Sequence, residues 1–405
     1  MTRVLHGIRV VEVAMWGFVP AAGAVLADWG ADVIKVEHPV FGDPMRGLAS
    51  DGLDGGGTGV SPMWEIFNRG KRSIGIDIAV QEGREVLMDL VATADVFLTS
   101  FLPPARQKLG IEPDDLRARN PRIIYARGSG QGPLGPEADK GGFDAISYWF
   151  RSGAASGVTP AELEWPLRMP GPAFGDIQGG MMLAGGVGTA LGHRDRTGEP
   201  TVVDISLLAT GMWAMAPAIV GTQLTGAAEL PKRTRSDPNN ALANIYRTAD
   251  GRYIALSILQ SDRYWAGFCT ALGHPELIDD ARFADRAARA AHPEETLQVL
   301  DEIFGARPLA EWCERLAGQE GQWDVVNTAG DVARDRQAIA NGYVQPVVHP
   351  SGAEFSLVSS PIQFDADPPA LSAAPELGAS TEELLLATGR DWEQIIALKE
   401  LGAVN

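Results

Sequence analysis

Phe174-Gly175-Asp176-Ile177-Gln178-Gly179-Gly180 sets one carboxylate among glycines, just ahead of the apolar run Met181-Met182-Leu183-Ala184. The pattern places an aspartate at the mouth of a helix, where unpaired backbone N–H groups and the helix dipole favour negative charge. Glycines beside it leave room for a substrate against the backbone and offer N–H groups to a developing oxyanion. Asp176 is therefore the candidate nucleophile, although aspartate at a helix start is also an ordinary cap. Other chemistries lack their residues. There is no GxxxxGK[ST] phosphate loop and no GxSxG elbow. Gly128-Ser129-Gly130-Gln131-Gly132 has neither the glycine spacing of a dinucleotide site nor a helical run after it. His6, His38, His193, His274, His292 and His349 stand singly, without metal-ligand spacing. Only His38 falls at a strand end, where ligands collect.

The elements that must hold Asp176 alternate between strand and helix. Short β-rich runs at 8–13, 33–36, 73–77, 96–98 and 123–126 are separated by helical runs at 21–29, which Gly30 can terminate, and at 83–92. Such βαβ spacing implies a parallel sheet with right-handed crossovers and ligands at the carboxyl ends of its strands. Glu37-His38-Pro39, Ser100-Phe101 and the 128–132 loop would lie there. An amphipathic helix over 179–193, a strand at 202–205 and an apolar helix over 206–220 follow. The Pro- and Asn-rich stretch 225–244 reads as a linker. After it comes a hairpin turning at Asp250-Gly251, with helices at 262–272, 294–304 and 309–317 completing a smaller domain. A Pro-rich segment over 344–375 leads to a helical tail at 381–401. The glycines of 51–60 suggest a mobile surface loop.

At 405 residues, 45% hydrophobic and 21% charged, the chain can bury a full core and divide into two or three domains. Its net charge of −18 argues against nucleic acid and anionic membranes as partners. No apolar stretch approaches the ~18 residues of a membrane span, and the first residues lack the apolar core of a signal peptide, so a cytoplasmic location is expected. Cys269 and Cys313 form no CxxC pair, and neither disulfide nor metal is expected. An anionic ligand would need a local basic patch.

Gly7-Ile8-Arg9-Val10-Val11-Glu12, the run from Leu26 to Glu37, Gly42-Asp43-Pro44-Met45-Arg46, Asn68-Arg69-Gly70-Lys71-Arg72-Ser73 and Gly175-Asp176 occur in the order seen in the class III coenzyme A transferases. The chain resembles this CaiB/BaiF family, which also contains alpha-methylacyl-CoA racemase, through Tyr246 to Arg252 and on to Ala374-Pro375-Glu376-Leu377-Gly378. The resemblance implies an α/β fold with a Rossmann-like large domain, a smaller α+β domain and an interlocked homodimer. Carried over, 1–220 would be the first part of the large CoA-binding domain, 221–322 the linker and small domain, and 323–405 the segment returning to the large domain.

The implied activity is CoA transfer from an acyl-CoA to a carboxylic acid, through aspartyl anhydride and aspartyl-CoA thioester intermediates on Asp176. Coenzyme A would be a substrate, with no tightly bound cofactor. Positions matching the family's CoA contacts are Gly17, Phe18, His38, Ile76, Ala79, Ser100, Phe101, Leu102 and Lys108, then Lys140, Gly142, Phe143 and Asp144. Arg46, Arg69, Lys71 and Arg72 would supply further positive charge. Several positions depart from the pattern. Trp16 to Pro20 stands where formyl-CoA transferase has Gln-Ala-Gly-Pro, His38 replaces a common arginine, and Ser100 replaces a usual asparagine. Trp16, Phe18, Trp149 and Phe150 could line a larger apolar pocket for a bulkier acid. The alternative within the family, racemisation alpha to the thioester, needs two opposed bases, and Phe143 stands where racemases carry histidine. A non-catalytic CoA-binding homologue is the other alternative.

Overall fold

A computed structural model describes residues 2–48, 53, 55–232, 234–236 and 240–405. The strands β1 (Arg9–Val13), β2 (Asp32–Glu37), β3 (Arg72–Gly75), β4 (Val96–Thr99), β5 (Ile124–Ser129) and β6 (Val202–Ser206) form one parallel sheet in the order 3-2-1-4-5-6. Both faces are covered by helices, which is why these strands read as nearly continuous apolar runs. Val10, Val96, Leu98 and Ile124 face one core, shared with α1 (Phe18–Asp28) and the long helix Phe174–Thr197. Val11, Ile34, Phe97 and Tyr125 face the other, shared with Gln81–Ala92 and the C-terminal helices. The strand order reverses between β1 and β4, so their carboxyl ends diverge and open a crevice.

All six strands fall where the sequence read them, β5 running on to Ser129. The helices differ more. The long helix starts at Phe174 rather than 179, because its glycines permit a close helix contact instead of breaking the turn. A β-carbon at Gly179 would lie 2.4 Å from the Phe18 ring, and one at Gly180 2.4 Å from Ala21 Cβ. The apolar run at 206–220 is two helices, Leu207–Ala214 and Ala216–Thr225, bent by 66°. Pro217 forces the break, since it lacks an N–H and clashes with the preceding turn. Among the described residues no single helix is long and apolar enough to cross a membrane.

Two compact units divide the chain. The larger contains Met1–Thr159, Trp165–Leu230 and Asp335–Asn405. Its returning segment holds the hairpin Val344–Val348 and Glu354–Val358, then the helices Thr381–Ala387 and Trp392–Glu400. The smaller unit is Pro160–Glu164 with Pro231–Arg334. There Ile245–Arg247, Tyr253–Leu256 and Trp323–Val325 form an antiparallel sheet, with Gly251 at φ +77° in the hairpin turn. Phe268, Phe304, Trp312 and Tyr246 fill its core. The boundaries expected at 220 and 323 are therefore displaced. Helix Ala216–Thr225 carries the larger unit further, and Trp323 pairs back into the smaller sheet. Of the 51–60 loop, residues 51, 52 and 54 lie outside the described residues, as do 233 and 237–239 of the expected linker.

Candidate active site

The turn between β1 and α1 is fixed from below by buried charge. Glu12 lies in β1 with no exposure, which a central strand tolerates only when the carboxylate is paired. Lys35, opposite it on β2, places Nζ 3.2 Å from Glu12 Oε1 and 2.8 Å from Asp43 Oδ2. Lys71 Nζ lies 2.7 Å from Glu12 Oε2. Burial opposes the charge on Lys35, but Asp43, Glu12 and Glu37 outweigh it and raise its pKa. At Lys71 burial wins over Glu12, and the pKa falls to about 8. Lys35 also donates to the Ala14 carbonyl at 3.0 Å, and Asp43 Oδ1 accepts the Trp16 N–H at 3.2 Å. Trp16 has φ +70°, a conformation that costs a non-glycine residue ~1–3 kcal/mol and persists only where its surroundings impose it.

Asp176 sits inside the first turn of the long helix, not ahead of it. Ala173 precedes that helix at φ +58° and offers no side-chain cap, so Asp144 substitutes, its Oδ2 accepting the Gly175 N–H at 3.2 Å. Burial raises the Asp144 pKa, against the backbone N–H groups it accepts. A β-carbon at Gly175 would lie 2.6 Å from the Tyr148 ring. The glycines flanking Asp176 are thus packing residues, a correction to their expected role of admitting an acyl group and binding oxyanions. Among the described residues no hydrogen bond or ion pair reaches the Asp176 carboxylate, which is 8% exposed. Burial first, and the nearby Asp144 charge second, push its pKa up to about 8.

Its exposed edge faces a cleft of about 670 Å³ at the carboxyl ends of β1, β4 and β5. Trp16 and Phe143 meet there edge to face at 5.6 Å. Phe18, Ser100, Phe101, Leu102, Gly142 and Phe143, all singled out from the sequence, line this cleft with Asp176. Gly17 abuts the carboxylate directly. Gly141 and Gly142 also line the cleft, and among the described residues their N–H groups donate to no protein acceptor. The Gly-Gly pair two residues before Asp144 is the sequence signal for them.

A second hollow of about 250 Å³ shares Met15 and Phe101 with the cleft and extends past His38, Ile76 and Ala79. His38 Nδ1 accepts the N–H groups of Val40 and Phe41 at 3.2 and 3.3 Å, which leaves Nε2 as the ring's donor. Lys108 is exposed on the helix Pro103–Leu109, whose Ala105 reaches the cleft and whose Leu109 reaches the hollow. Arg46, Lys140 and Asp144 line neither space. Lys140 pairs with Glu137 at 3.3 Å, and Arg46 grips Glu37 through two contacts of 2.8 Å while stacking 3.6 Å from the Trp64 ring.

The expected basic patch is corrected likewise. Arg69 is paired with Asp28, Lys71 with Glu12 and Arg72 with Asp32, at 2.6 to 2.7 Å. In a chain with so many carboxylates, these cations neutralise internal charge. Of the four expected pocket aromatics only Trp16 and Phe18 line the cleft. Trp149 is core, its Nε1 donating to the Leu167 carbonyl at 2.8 Å, and Ile146 rather than Phe150 reaches the cleft wall.

A buried carboxylate that no hydrogen bond or ion pair reaches among the described residues, above the switch point of a 3-2-1-4-5-6 sheet and beside an open apolar cleft, suits covalent acyl chemistry. The sequence profile of CoA-transferase family III matches residues 5–381, and the chain belongs to that family. It is therefore an enzyme of the class III CoA-transferases. It is 30% identical to (R)-2-hydroxy-4-methylpentanoate CoA-transferase of Clostridioides difficile, over 99% of both chains. Succinyl-CoA--D-citramalate CoA-transferase of Chloroflexus aurantiacus is 33% identical, over 94% of this chain and 93% of that one. A solved CaiB/BaiF family protein from Brucella suis matches with a TM-score of 0.81 at 30% identity, covering 96% of this chain and 100% of its own.

Proposed function

We propose that Asp176 is the acyl carrier of an acyl-CoA:carboxylate CoA-transferase. Its carboxylate attacks the donor thioester, forming a mixed anhydride and expelling CoA thiolate. The thiolate attacks the aspartyl carbonyl, making an aspartyl-CoA thioester and releasing the donor acid. The acceptor carboxylate attacks that thioester and expels the thiolate, which opens the second anhydride at its acyl carbonyl to give the new acyl-CoA and free Asp176. One thioester replaces another, so no ATP is consumed. The observation that carries this reading is the buried, unpartnered Asp176 carboxylate at the wall of a cleft. The free N–H groups of Gly141 and Gly142 suit the oxyanions that form at each step.

CoA would lie along the strand ends, its thiol arm in the cleft and its remainder over the hollow at His38, Ile76 and Ala79, with Lys108 toward its phosphates. Racemisation is less well supported, because among the described residues no histidine lines the cleft and Asp144 is engaged by the Gly175 N–H. A homodimer is supported by the apolar surface on the helices after β6, where Trp213 is 72% and Leu224 83% exposed. Light scattering on the purified protein tests it, a monomer at micromolar concentration being the adverse result. Asp176→Asn is expected to lower transfer by about three orders of magnitude or more while acyl-CoA binding persists. Hydroxylamine added during turnover should trap a hydroxamate on Asp176 in the unaltered enzyme. Rapid alpha-proton exchange with D2O and no trapped adduct, for an acyl-CoA that binds, would replace this reading with racemisation.

A further inference from the structure

The relatives' names place both an apolar hydroxy acid and a dicarboxylate derivative on the acyl side, so the choice of acid falls to the residues lining the cleft. Its walls are carried by Trp16, Phe18, Phe143 and Ile146, with Ser100 and Ser129 as the polar side chains besides Asp176. Among the described residues no lysine, arginine or histidine side chain lines it. Three cations on the neighbouring segments are paired elsewhere, and Lys108, on the helix that carries Ala105, is exposed outside the cleft lining. Arg127 pairs with Asp204 at 2.5 Å, and Lys140 and Arg151 both pair with Glu137. The two hydroxyls are already oriented by backbone, Ser100 Oγ accepting the Met15 N–H and Ser129 Oγ the Gly132 N–H, each at 3.0 Å.

A second carboxylate on the acyl tail would lose water against aromatic and aliphatic walls and gain no counter-charge from them. Burying an unpaired charge is among the costliest events in a protein interior. An apolar tail meets none of these penalties and covers the Trp16 and Phe143 rings.

We infer that the acyl site takes monocarboxylic acids with a bulky apolar tail, branched or aromatic, and rejects dicarboxylic acids, an inference that rests on Asp176 being the acyl carrier. Ile146, 55% exposed on the cleft wall, is the position where an added cation would change the preference with least disturbance to the core.

The test is self-exchange, in which the enzyme moves CoA between an acyl-CoA and its own isotope-labelled free acid, so that no second substrate is needed. Glutaryl-CoA is compared with 5-methylhexanoyl-CoA, whose terminal isopropyl group has the shape of glutarate's second carboxylate. Exchange of the 5-methylhexanoyl pair should be faster by about 30-fold or more, and Ile146→Arg should shrink that ratio about tenfold. Equal or faster glutaryl exchange overturns the inferred substrate class while leaving the aspartyl chemistry intact. An unchanged ratio in Ile146→Arg overturns the placement of the tail against this wall. No exchange with either pair and no hydroxamate on Asp176 overturns the underlying reading, and the inference with it.

Discussion

Gly17 is packed so closely against Asp176 that a β-carbon added to it would lie 2.5 Å from the carboxylate Oδ2. The backbone at Gly17 is right-handed helical, at φ −96° and ψ −48°, so alanine is tolerated there conformationally. Gly17 is thus selected by the proximity of the carboxylate and not by its own torsion angles.

Gly17→Ala is expected to fold normally and to lose activity, because Asp176 must rotate away from the attacking position. A misplacement of about 1 Å can cost roughly 100-fold in rate, so kcat/KM should fall by about that factor with melting temperature nearly unchanged. Activity close to that of the unaltered enzyme would show that Asp176 does not react from this rotamer.

Asp43 acts on the same turn from the other side. Its Oδ1 accepts the N–H groups of Trp16 and Met45, at 3.2 and 2.9 Å, while its Oδ2 meets Lys35. Asp43→Ala should release the strained Trp16 and leave the Lys35 charge less compensated, destabilising the fold by about 3 kcal/mol. Asp43→Asn keeps the N–H acceptor and should recover most activity. Both variants are compared by chemical denaturation and by KM for the acyl substrate. An unchanged KM in Asp43→Ala would remove Trp16 from the acyl wall.

The strands were legible because each is a compact apolar run between turn residues, and tertiary contacts had nothing to override. The start of the long helix was not. Gly179 and Gly180 lower local helix propensity by ~1 kcal/mol each, and only the approach of Phe18 and Ala21, far away in sequence, makes them favourable. The gathering of Ser100, Phe101, Gly142, Phe143 and Asp176 at one cleft follows from strand order, which βαβ spacing constrains. The fate of the cations was hidden for a different reason: Lys71 and Glu12 are 59 positions apart, and charge composition does not say which pairs form. The cap from Asp144 to the Gly175 N–H is equally non-local.

Lys108 and Arg46 separate ligand binding from internal pairing. Lys108 is exposed beside the hollow, so Lys108→Ala should raise KM for acyl-CoA about three- to tenfold, leave kcat unchanged and weaken the salt dependence of KM. Arg46 holds Glu37, whose side chain is 1% exposed and whose pKa is lowered; burial opposes that shift, but the Arg46 hydrogen bonds and Lys35 prevail. Arg46→Ala should therefore cost about 3 kcal/mol of stability, seen in urea denaturation, before any effect on KM. The reverse pattern would place Arg46 on the CoA phosphates.

Asp176 ties activity and stability to pH in opposite directions. Its pKa of about 8 in the folded chain lies well above the ordinary carboxylate value of 3.8, so the folded state holds a proton that the unfolded state releases. A group shifted upward this way costs the fold nothing below pH 4. Its penalty grows as pH rises and is complete above about 8, on the order of several kcal/mol. Asp176→Asn removes the titration. The variant should match the unaltered protein near pH 4 and become progressively more stable than it from pH 5 to pH 9. Over the same range kcat/KM of the unaltered enzyme should rise toward pH 8, because only the ionised carboxylate attacks a thioester. Denaturation curves at pH 5, 7 and 9 decide the first point. A stability difference between the two proteins that stays constant with pH would mean that Asp176 is not held protonated by its burial, and that the cleft hydrates it as it would an ordinary surface aspartate.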